Sequence, residues 1–402
     1  MFPRRYFLRY SAIAMAGLGM APSWLVRAAA QVGQTGNKRK ILVAIFQRGA
    51  ADGLNVVVPF FEKLYYDMRP TIAVPQPGQE NGGIDLDGRF ALHPSLQPLK
   101  PFWDSGQLAI IHAAGSPDPT RSHFDAQDFM ESGTPGKTSE DGWLNRALAL
   151  DSGPSPLRAI SIGAQLPRTL RGNHQAVAVN NLQQFETRNK EMAAILETMY
   201  ASTADSRLMA SGKETFEAVK MIESINRNPY APANGAQYQG GFGNALQQIA
   251  RLIKADAGVE AAFADIGGWD HHVNEAPQLT SLLREFGASL AAFTRDMGDR
   301  MEDIALVTMS EFGRTAREDG NAGTDHGHGN VMMVLGGPVR GGKVYGRWPG
   351  LEPEQLYDGR DLAVITDFRE VLGELVNRHL ARDVSQVFPG YIPGAPLGVI
   401  KS

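Results

Sequence analysis

Four of the nine histidines of this 402-residue chain fall in two short loops that also contain carboxylates. The first loop contains Asp265, Asp270, His271 and His272. The second contains Asp325, His326 and His328. Imidazole and carboxylate groups are ligands that Zn²⁺, Mn²⁺, Mg²⁺ and Ca²⁺ take in proteins. The two loops therefore predict a site for one or two divalent cations, although adjacent histidines in a loop are also typical of a solvated surface.

Apolar runs stand next to both loops, as the buried strands of an α/β sheet do. Val259 to Phe263 precedes the first loop, and Val331 to Leu335 follows the second. Two further runs precede candidate ligands, Ile41 to Phe46 before Asp52 and Ile304 to Met309 before Glu311. Ligand sites of open α/β sheets gather at the carboxyl ends of strands, so we expect these side chains to meet there. Taken alone, Asp52 is equally typical of a turn or a helix cap.

Hydroxyl groups occur where a helix is predicted to begin, after the strand Gln107 to His112. Thr120-Arg-Ser122 follows two prolines and precedes an amphipathic helix over Phe124 to Met130. The positive end of a helix and a nearby cation both favour a serine alkoxide and an anionic ester. Helix capping is the alternative role for these hydroxyls.

The composition narrows the classes of function. A hydrophobic content of 43% supports a packed core, and a net charge of −4 without a Lys/Arg block gives no support to nucleic-acid binding. The chain has no cysteine, which excludes disulfides, thiolate nucleophiles and cysteine-based zinc sites. Any metal must therefore be held by Asp, Glu, His or hydroxyl oxygen. We expect structural roles for His93, His112 and His379.

The first thirty residues differ in composition from the rest and predict a twin-arginine (Tat) signal peptide. Arg4-Arg5 precedes an apolar stretch from Ser11 to Val26, and Ala28-Ala-Ala30 is typical of a cleavage site. We expect the Tat translocase as a partner, cleavage near Ala30 and a periplasmic location. A transmembrane anchor is the alternative, but the stretch is short of the ~20 residues that a span needs and contains proline.

The remaining chain predicts a linker and one domain. Residues 31–40 form the polar linker, and residues 41–402 form a single α/β domain. A long, mostly polar helical region predicts a helical insert or cap over the sheet at about residues 181–256. Its low-complexity loop, Asn228 to Gly243, is predicted to be flexible and lid-like.

Five motifs form a specific set in this order and span nearly all of residues 40–385. They are the twin-arginine leader, Arg48-Gly-Ala-Ala-Asp-Gly-Leu-Asn55, Arg121-Ser-His-Phe-Asp-Ala-Gln127, Gly267-Gly-Trp-Asp-His-His272, and Ser310-Glu-Phe-Gly-Arg-Thr315 followed by Asp325-His-Gly-His-Gly329. This set resembles the family named domain of unknown function 1501, which is related to the alkaline phosphatase and sulfatase superfamily.

The resemblance implies an alkaline phosphatase-like doubly wound α/β sandwich, with a mostly parallel central sheet and helices on both faces. That superfamily binds one or two divalent cations and uses a Ser or Thr nucleophile, or formylglycine in sulfatases, against a phosphoryl or sulfuryl centre. By motif order, Ser122 would be the nucleophile and Thr120 the second choice. The metal ligands that the motif order implies are Asp52, Asp270, His272, Glu311 and His328, with His326 as the rival of His328.

The chain departs from the superfamily pattern at two points. Phe312 stands where the superfamily commonly has histidine, so the second metal is in doubt unless His326 replaces that imidazole. The absence of cysteine argues against a formylglycine sulfatase.

The sequence thus predicts an exported, metal-dependent hydrolase of phosphate or sulfate esters. Ser122 would attack a small anionic ester, and Arg121 or Arg314 would hold its equatorial oxygens as bidentate donors. The main alternative is a non-catalytic envelope protein that binds a metal, a glycan or another ligand on the same fold. A metal-dependent mutase or transferase is the third alternative.

Overall fold

The computed structural model describes residues 39–136, 139–148, 155–182, 197–199, 202 and 206–401. The predicted signal peptide, residues 1–30, lies outside the described residues, as do residues 31–38 of the predicted linker and much of residues 183–205 in the predicted insert. In the described part of the chain, no helix has both the length and the apolar composition that crossing a membrane requires.

A nine-stranded sheet forms the centre of the described residues. Its strands are β1 (Ile41–Gln47), β5 (Leu108–Gly115), β6 (Ala159–Ile162), β7 (Val177–Val179), β8 (Ala261–Ile266), β9 (Ile304–Ser310), β10 (Asn330–Gly336), β11 (Lys343–Tyr345) and β12 (Thr366–Asp367). The strand order is β11-β5-β10-β9-β1-β8-β6-β7, and β12 pairs with β5. A small separate sheet contains β2 (Val57–Val58), β3 (Ile84–Asp85) and β4 (Ala91–Leu92).

The central sheet is mostly parallel. β1 pairs in parallel with β8 and β9, β6 pairs in parallel with β7 and β8, and β11 and β12 pair in parallel with β5. Only β10 runs antiparallel to its described neighbours, β9 and β5. The loops that follow β1, β5, β8 and β9 therefore share one edge of the sheet with the loop that precedes β10.

The uninterrupted apolar sequence of β1 explains its place at the centre of the sheet. All seven of its residues are buried, and alternate side chains enter two different cores. Val43 and Ile45 point into one core, whereas Leu42 and Phe46 point into the other. A strand that is covered on both faces has a continuous apolar sequence, as is typical of parallel strands. The predicted α/β class, with a mostly parallel sheet and both faces covered, is confirmed.

Helices supply the two covering layers. They are α1 (Gly53–Val56), α2 (Lys63–Met68), α3 (Lys100–Asp104), α4 (His123–Ser132), α5 (Trp143–Arg146), α6 (Ser206–Asn226), α7 (Gly240–Lys254), α8 (Glu275–Met297), α9 (Phe368–Glu374) and α10 (Val384–Val387). Shorter 3₁₀ segments cover Pro94–Leu99, Arg168–Leu170 and Gly298–Asp303, and a π turn covers Leu375–His379. Apolar residues of α7 and α8 join one core, and those of α5, α9 and α10 join the other.

The second half of the predicted insert is part of the main fold. Leu246 and Ile249 of α7 are fully buried in the same core as Phe286 of α8, so this helix is one of the layers on the sheet. The loop before α7 is held by the buried carboxylate of Asp296, which accepts hydrogen bonds from Tyr230, Tyr238, Lys254 and the backbone N–H of Ala233. The structure thus anchors the loop that the sequence predicts to be lid-like.

Candidate metal centre

The topology brings both histidine loops to one edge of the sheet. Asp270 and His272 follow β8, whose carboxyl end lies at this edge. Asp325 and His326 precede β10, which starts at the same edge because it is antiparallel to β9. His123 is the first residue of α4, which follows β5. Three segments that are distant in sequence therefore meet at the edge where open α/β sheets build their sites.

Three imidazoles and one carboxylate converge there. His326 Nε2 lies 3.0 Å from His123 Nε2 and 3.1 Å from His272 Nε2. Asp270 Oδ1 lies 2.9 Å from His272 Nε2 and 3.4 Å from His326 Nε2, and its Oδ2 lies 3.7 Å from His123 Nε2. Donor atoms bound to one tetrahedral zinc ion by ~2.0–2.1 Å bonds are about 3.3 Å apart. The observed spacings bracket that value.

Hydrogen bonds at the far side of two rings fix which nitrogen carries the proton. His326 Nδ1 lies 3.1 Å from the carbonyl oxygen of Arg121, and His123 Nδ1 lies 2.8 Å from Glu311 Oε1. Both partners only accept, so each Nδ1 is the donor, and in the neutral rings each Nε2 carries a lone pair. Two lone pairs 3.0 Å apart repel unless a cation or a proton lies between them. The donor set therefore fits a divalent cation.

Two overlapping ligand groups satisfy metal spacing among the described residues. One contains His123, Asp270 and His326, and the other contains His272, Asp325 and His326. His326 belongs to both, but its Nδ1 faces Arg121, so only Nε2 is left to bind a metal. One lone pair binds one cation. The geometry therefore favours a single ion bound by His326. Its other ligands would be either His123 and Asp270 or His272 and Asp325.

Charges around the cluster are consistent with a cation. The hydrogen bond that His123 donates to Glu311 is the largest cause that raises the pKa of His123, although burial opposes it. Burial and the neighbouring His123 lower the pKa of His326, which favours its neutral, ligating form. Burial alone would raise the pKa of Asp270, but the hydrogen bond and charge of Arg314 lower it below the ordinary value. Asp270 is thus an anion and His326 a neutral donor near neutral pH.

Glu311, predicted as a metal ligand, contacts the candidate ligand His123 from the side of its Nδ1 atom, in an orienting position. Its Oε1 accepts hydrogen bonds from His123 Nδ1, the Gln127 amide at 3.0 Å and the Gly49 N–H at 2.9 Å. Its Oε2 accepts from the Ser310 hydroxyl at 3.0 Å. The side chain is fully buried, and these donors outweigh burial and lower its pKa. A carboxylate that accepts the second N–H of a metal-binding histidine is a common arrangement in metal sites.

Substituting Glu311 with glutamine tests this orienting role. A neutral amide is a weaker acceptor, and it can turn its NH₂ group toward His123, which moves the imidazole proton to Nε2. We expect the affinity for Zn²⁺ to fall about 10- to 100-fold, as it does when such outer partners are removed. Calorimetric titration of the metal-free protein measures the change.

A buried carboxylate elsewhere provides the control for this substitution. Glu374 accepts the backbone N–H groups of Gly398 and Ile400, both at 2.9 Å, and is only 5% exposed. Glu374→Gln is expected to leave the Zn²⁺ affinity unchanged. Equal affinities of Glu311→Gln and the wild-type protein would contradict the orienting role.

Arg314, predicted to hold substrate oxygens, is committed to the protein itself. Its Nε donates to the Ala50 carbonyl and its Nη1 to the Thr324 carbonyl. Its Nη2 contacts the carbonyls of Gly49 and Trp269 and lies 2.5 Å from Asp270 Oδ1. The guanidinium is buried, joins three loops and contacts the Asp270 carboxylate, so its contacts are those of a positioning residue, and its predicted contact with substrate stays a prediction.

Asp52, another predicted ligand, is also engaged internally. Arg69 forms a bidentate ion pair with it, at 2.5 Å from Nη1 and 3.0 Å from Nη2, and both side chains are fully buried. Asp52 belongs to neither ligand group among the described residues. In the described structure Asp52 is thus the acceptor of a buried ion pair, and its role as a metal ligand stays a prediction.

The remaining predicted residues lie around the cluster. His328 is buried and stacks on Tyr357 with ring centroids 4.6 Å apart, whereas its rival His326 belongs to both candidate ligand groups of the described residues. Arg121 donates from Nε and Nη2 to Asp361. Ser122 is exposed, caps α4 by accepting the Asp125 N–H, and directly precedes His123. The capping role and a chemical role are compatible at this position.

His123 and Asp325 are the residues of the two groups absent from the predicted site. His123 lies within the motif Arg121-Ser-His-Phe-Asp125, which the prediction assigns to the serine hydroxyl. A histidine at the first position of a helix that follows a strand, as β5 is followed here, was the available signal. Asp325 stands beside His326 in the second histidine loop. The prediction assigned the ligand roles in that loop to His326 and His328 and left Asp325 out.

The fold and the cluster together define an α/β protein with a candidate His/Asp metal centre at the carboxyl edge of its sheet. The chain belongs to the family described as protein of unknown function (DUF1501), whose model matches residues 39–383. The predicted family membership is thus confirmed. No protein with a curated description matches the chain.

Several solved structures are similar to the chain. The C-terminal periplasmic domain of EcEptC from Escherichia coli, in complex with Zn, is 9% identical over 75% of this chain and 74% of that chain, with a TM-score of 0.32. PsFucS1 sulfatase from Pseudoalteromonas sp. is 10% identical over 100% and 77%, with a TM-score of 0.41. A protein in the alkaline phosphatase superfamily from Vibrio parahaemolyticus is 12% identical over 75% and 60%, with a TM-score of 0.30. At these TM-scores the likenesses carry no functional inference.

Proposed function

We propose that this protein is a divalent-cation-dependent hydrolase of phosphate or sulfate esters, with Ser122 as its nucleophile. The observation that carries the proposal is the convergence of His123, His272 and His326 Nε2 with the Asp270 carboxylate, at separations of 2.9–3.7 Å. Zn²⁺ suits imidazole and carboxylate donors best, and Mn²⁺, Mg²⁺ and Ca²⁺ are the other candidates. A bound cation would neutralise the anionic ester oxygens and favour the serine alkoxide.

The position of Ser122 supports its role as the nucleophile. The side chain is exposed and begins α4, so the N–H groups of the first helical turn and the helix dipole favour negative charge beside it. Its oxygen would form a bond to phosphorus or sulfur while the ester bond to the alcohol breaks, and the serine proton leaves with the alcohol. Water would then cleave the covalent intermediate, which restores the hydroxyl and releases phosphate or sulfate.

Arg121 is the better of the two predicted arginines for holding the ester. Its side chain is 31% exposed, and Asp361 takes its Nε and Nη2 donors. Nη1 is left to donate to an anionic oxygen. Arg314 in contrast has its donors in contact with carbonyls and Asp270.

Three substitutions of Ser122 separate nucleophilic attack from helix capping. Ser122→Ala removes both roles, Ser122→Asn keeps the cap but not the hydroxyl, and Ser122→Thr keeps both. We expect the alanine and asparagine variants to lose at least about a thousandfold in turnover, in the range that loss of a nucleophile produces. The threonine variant is expected to retain measurable activity.

The assay measures phosphatase, phosphodiesterase and sulfatase rates together with bound metal. The three variants should bind the cation as the wild-type protein does, which shows that the site is intact. Wild-type turnover by Ser122→Asn, or a wild-type protein that binds no cation, contradicts the proposed function.

A second candidate function is a non-catalytic envelope protein whose site binds a cation together with a glycan or another ligand. The engagement of Arg314 and the partial engagement of Arg121 favour it, because few cationic donors remain for an anionic ester. A tightly bound cation without turnover on any of the three ester classes would select this function.

We also propose that residues 1–30 direct export through the Tat translocase and are removed near Ala30. The motif Arg4-Arg5 and the alanines Ala28 to Ala30 support this. N-terminal sequencing of the protein recovered from the periplasm of its host tests it. A first residue close to Gln31 is the expected result, and recovery of uncleaved protein from the cytoplasm contradicts it.

A further inference from the structure

Two exposed apolar side chains directly follow two histidines of the cluster. Phe124, next to His123, is 88% exposed, and Val273, next to His272, is 56% exposed. The large exposed hydrophobic residues of the described chain are few: Phe61, Phe124, Met199, Val273 and Ile392. Two of these five therefore adjoin candidate metal ligands, whereas isolated exposed apolar residues normally scatter over a surface.

Packing does not explain Phe124. The core-facing residues of α4 are Ala126, Phe129 and Met130, which are buried and hold the helix against the rest of the protein. Phe124 lies in the first turn of α4 and leaves most of its ring in water. An aromatic ring of this exposure loses the hydrophobic stabilisation that burial would give it, so contact with an apolar ligand group would be favourable.

The two apolar residues are the chain neighbours of two histidines of the cluster. The ring centroid of His326 lies 4.4 Å from that of His123 and 4.8 Å from that of His272. Phe124 and Val273 are each one residue further along the chain, about 3.8 Å away at the Cα positions. An anionic group held at the cluster would therefore lie close to two backbone segments that each carry an exposed apolar side chain.

We propose that Phe124 and Val273 form an apolar rim that binds the hydrocarbon part of an amphiphilic ester, whose phosphate or sulfate group is held at the His/Asp cluster. This inference rests on the proposed function and names its substrate class as esters of long alkyl or aryl alcohols. The cluster supplies the polar half of the recognition, and the rim supplies the apolar half.

The test compares monoesters whose alcohols differ in length but little in reactivity. Methyl, butyl and octyl phosphate present increasing apolar surface, while the leaving groups are all simple primary alcohols. Burial of one methylene group contributes ~0.8 kcal/mol, which corresponds to up to about fourfold in kcat/KM. An open rim covers only part of the alkyl chain. We expect kcat/KM of the zinc-loaded wild-type protein to rise at least about tenfold from methyl to octyl phosphate.

Phe124→Ser should remove most of this length dependence, which is measured within each protein as the ratio of kcat/KM on octyl phosphate to kcat/KM on methyl phosphate. Ile392→Ser is the matched control, because Ile392 is also 88% exposed but belongs to the C-terminal segment. That variant should keep the wild-type length dependence. Equal kcat/KM values for methyl and octyl phosphate in the wild-type protein, or an unchanged dependence in Phe124→Ser, would overturn the proposal.

Binding measurements separate failure of the rim from failure of the enzyme. Methylphosphonate and octylphosphonate cannot be hydrolysed as esters, and calorimetry gives their affinities for the zinc-loaded protein. Tighter binding of octylphosphonate that Phe124→Ser abolishes supports the rim even if no ester is turned over. If Phe124→Ser instead lowers only binding to phosphatidylglycerol vesicles, the rim contacts a lipid surface and the substrate proposal is wrong.

Discussion

Replacing His326 by alanine is expected to abolish high-affinity cation binding. Both ligand groups contain His326, and its Nε2 lies within 3.4 Å of His123, His272 and Asp270 donor atoms. Loss of an outer partner alone weakens metal sites about 10- to 100-fold, so loss of a ligand shared by both groups should weaken Zn²⁺ binding more than about 100-fold. Calorimetric titration of the metal-free protein measures the affinity.

His328→Ala is the matched control. His328 is a buried histidine two residues away that stacks on Tyr357 and belongs to neither ligand group in the described part of the chain. His328 and His326 are the rival ligands of the predicted site, so the two variants decide between them. Loss of binding in His328→Ala with retention in His326→Ala would show that the observed cluster is not the metal site.

The second large effect is expected from Arg69→Met, which should destabilise the fold by about 3–5 kcal/mol. Arg69 is fully buried, pairs with both oxygens of Asp52 and donates to the carbonyls of Thr315 and Ala316. Methionine fills much of the volume but leaves the Asp52 carboxylate buried without its counter-charge. Urea unfolding followed by circular dichroism measures the loss, and a loss below about 1 kcal/mol would contradict the role of Arg69.

Glu275→Gln tests the same buried network through the pH dependence of the free energy of unfolding. Burial and the neighbouring Asp52 raise the pKa of Glu275 well above its ordinary value of 4.5, whereas the ion pair with Arg69 lowers the pKa of Asp52 although burial opposes it. A raised folded-state pKa gives stability that is complete below the unfolded value and is lost as pH rises through the folded value. As pH rises from the unfolded-state pKa of Glu275 to its raised folded-state pKa, we expect the wild-type protein to lose stability and Glu275→Gln to lose less. An identical pH dependence in both proteins would contradict this assignment.

The strands and the sheet edge could be predicted because their signals are local. The continuous apolar sequence of β1 indicates a strand buried on both faces, and the predicted Ile304–Met309 strand differs from β9 by one residue. Asp270, His272 and His326 were predicted as ligands because each stands next to such a strand. No local pattern gives the direction of a strand, yet the antiparallel orientation of β10 is what brings His326 to His123.

The differences between the predicted roles and the observed contacts come from partners that are distant in sequence. Asp52 and Glu311 are carboxylates placed just after strands, as metal ligands are, but Arg69 neutralises the first and His123 occupies the second. The contact between Glu311 and His123 joins residues 188 positions apart. Arg314 was predicted to bind substrate because its donors match an anion, whereas carbonyls of three loops accept them. Only the folded chain shows which donors are already engaged.

The most direct test of the metal centre is a crystal structure of the zinc-loaded protein with anomalous diffraction data measured at the zinc absorption edge. The account predicts one strong anomalous peak at ~2.0–2.2 Å from His326 Nε2, with Asp270 and His123 or His272 as further ligands. A peak bound by Asp52 or His328 without His326, or no peak at the sheet edge, would contradict it.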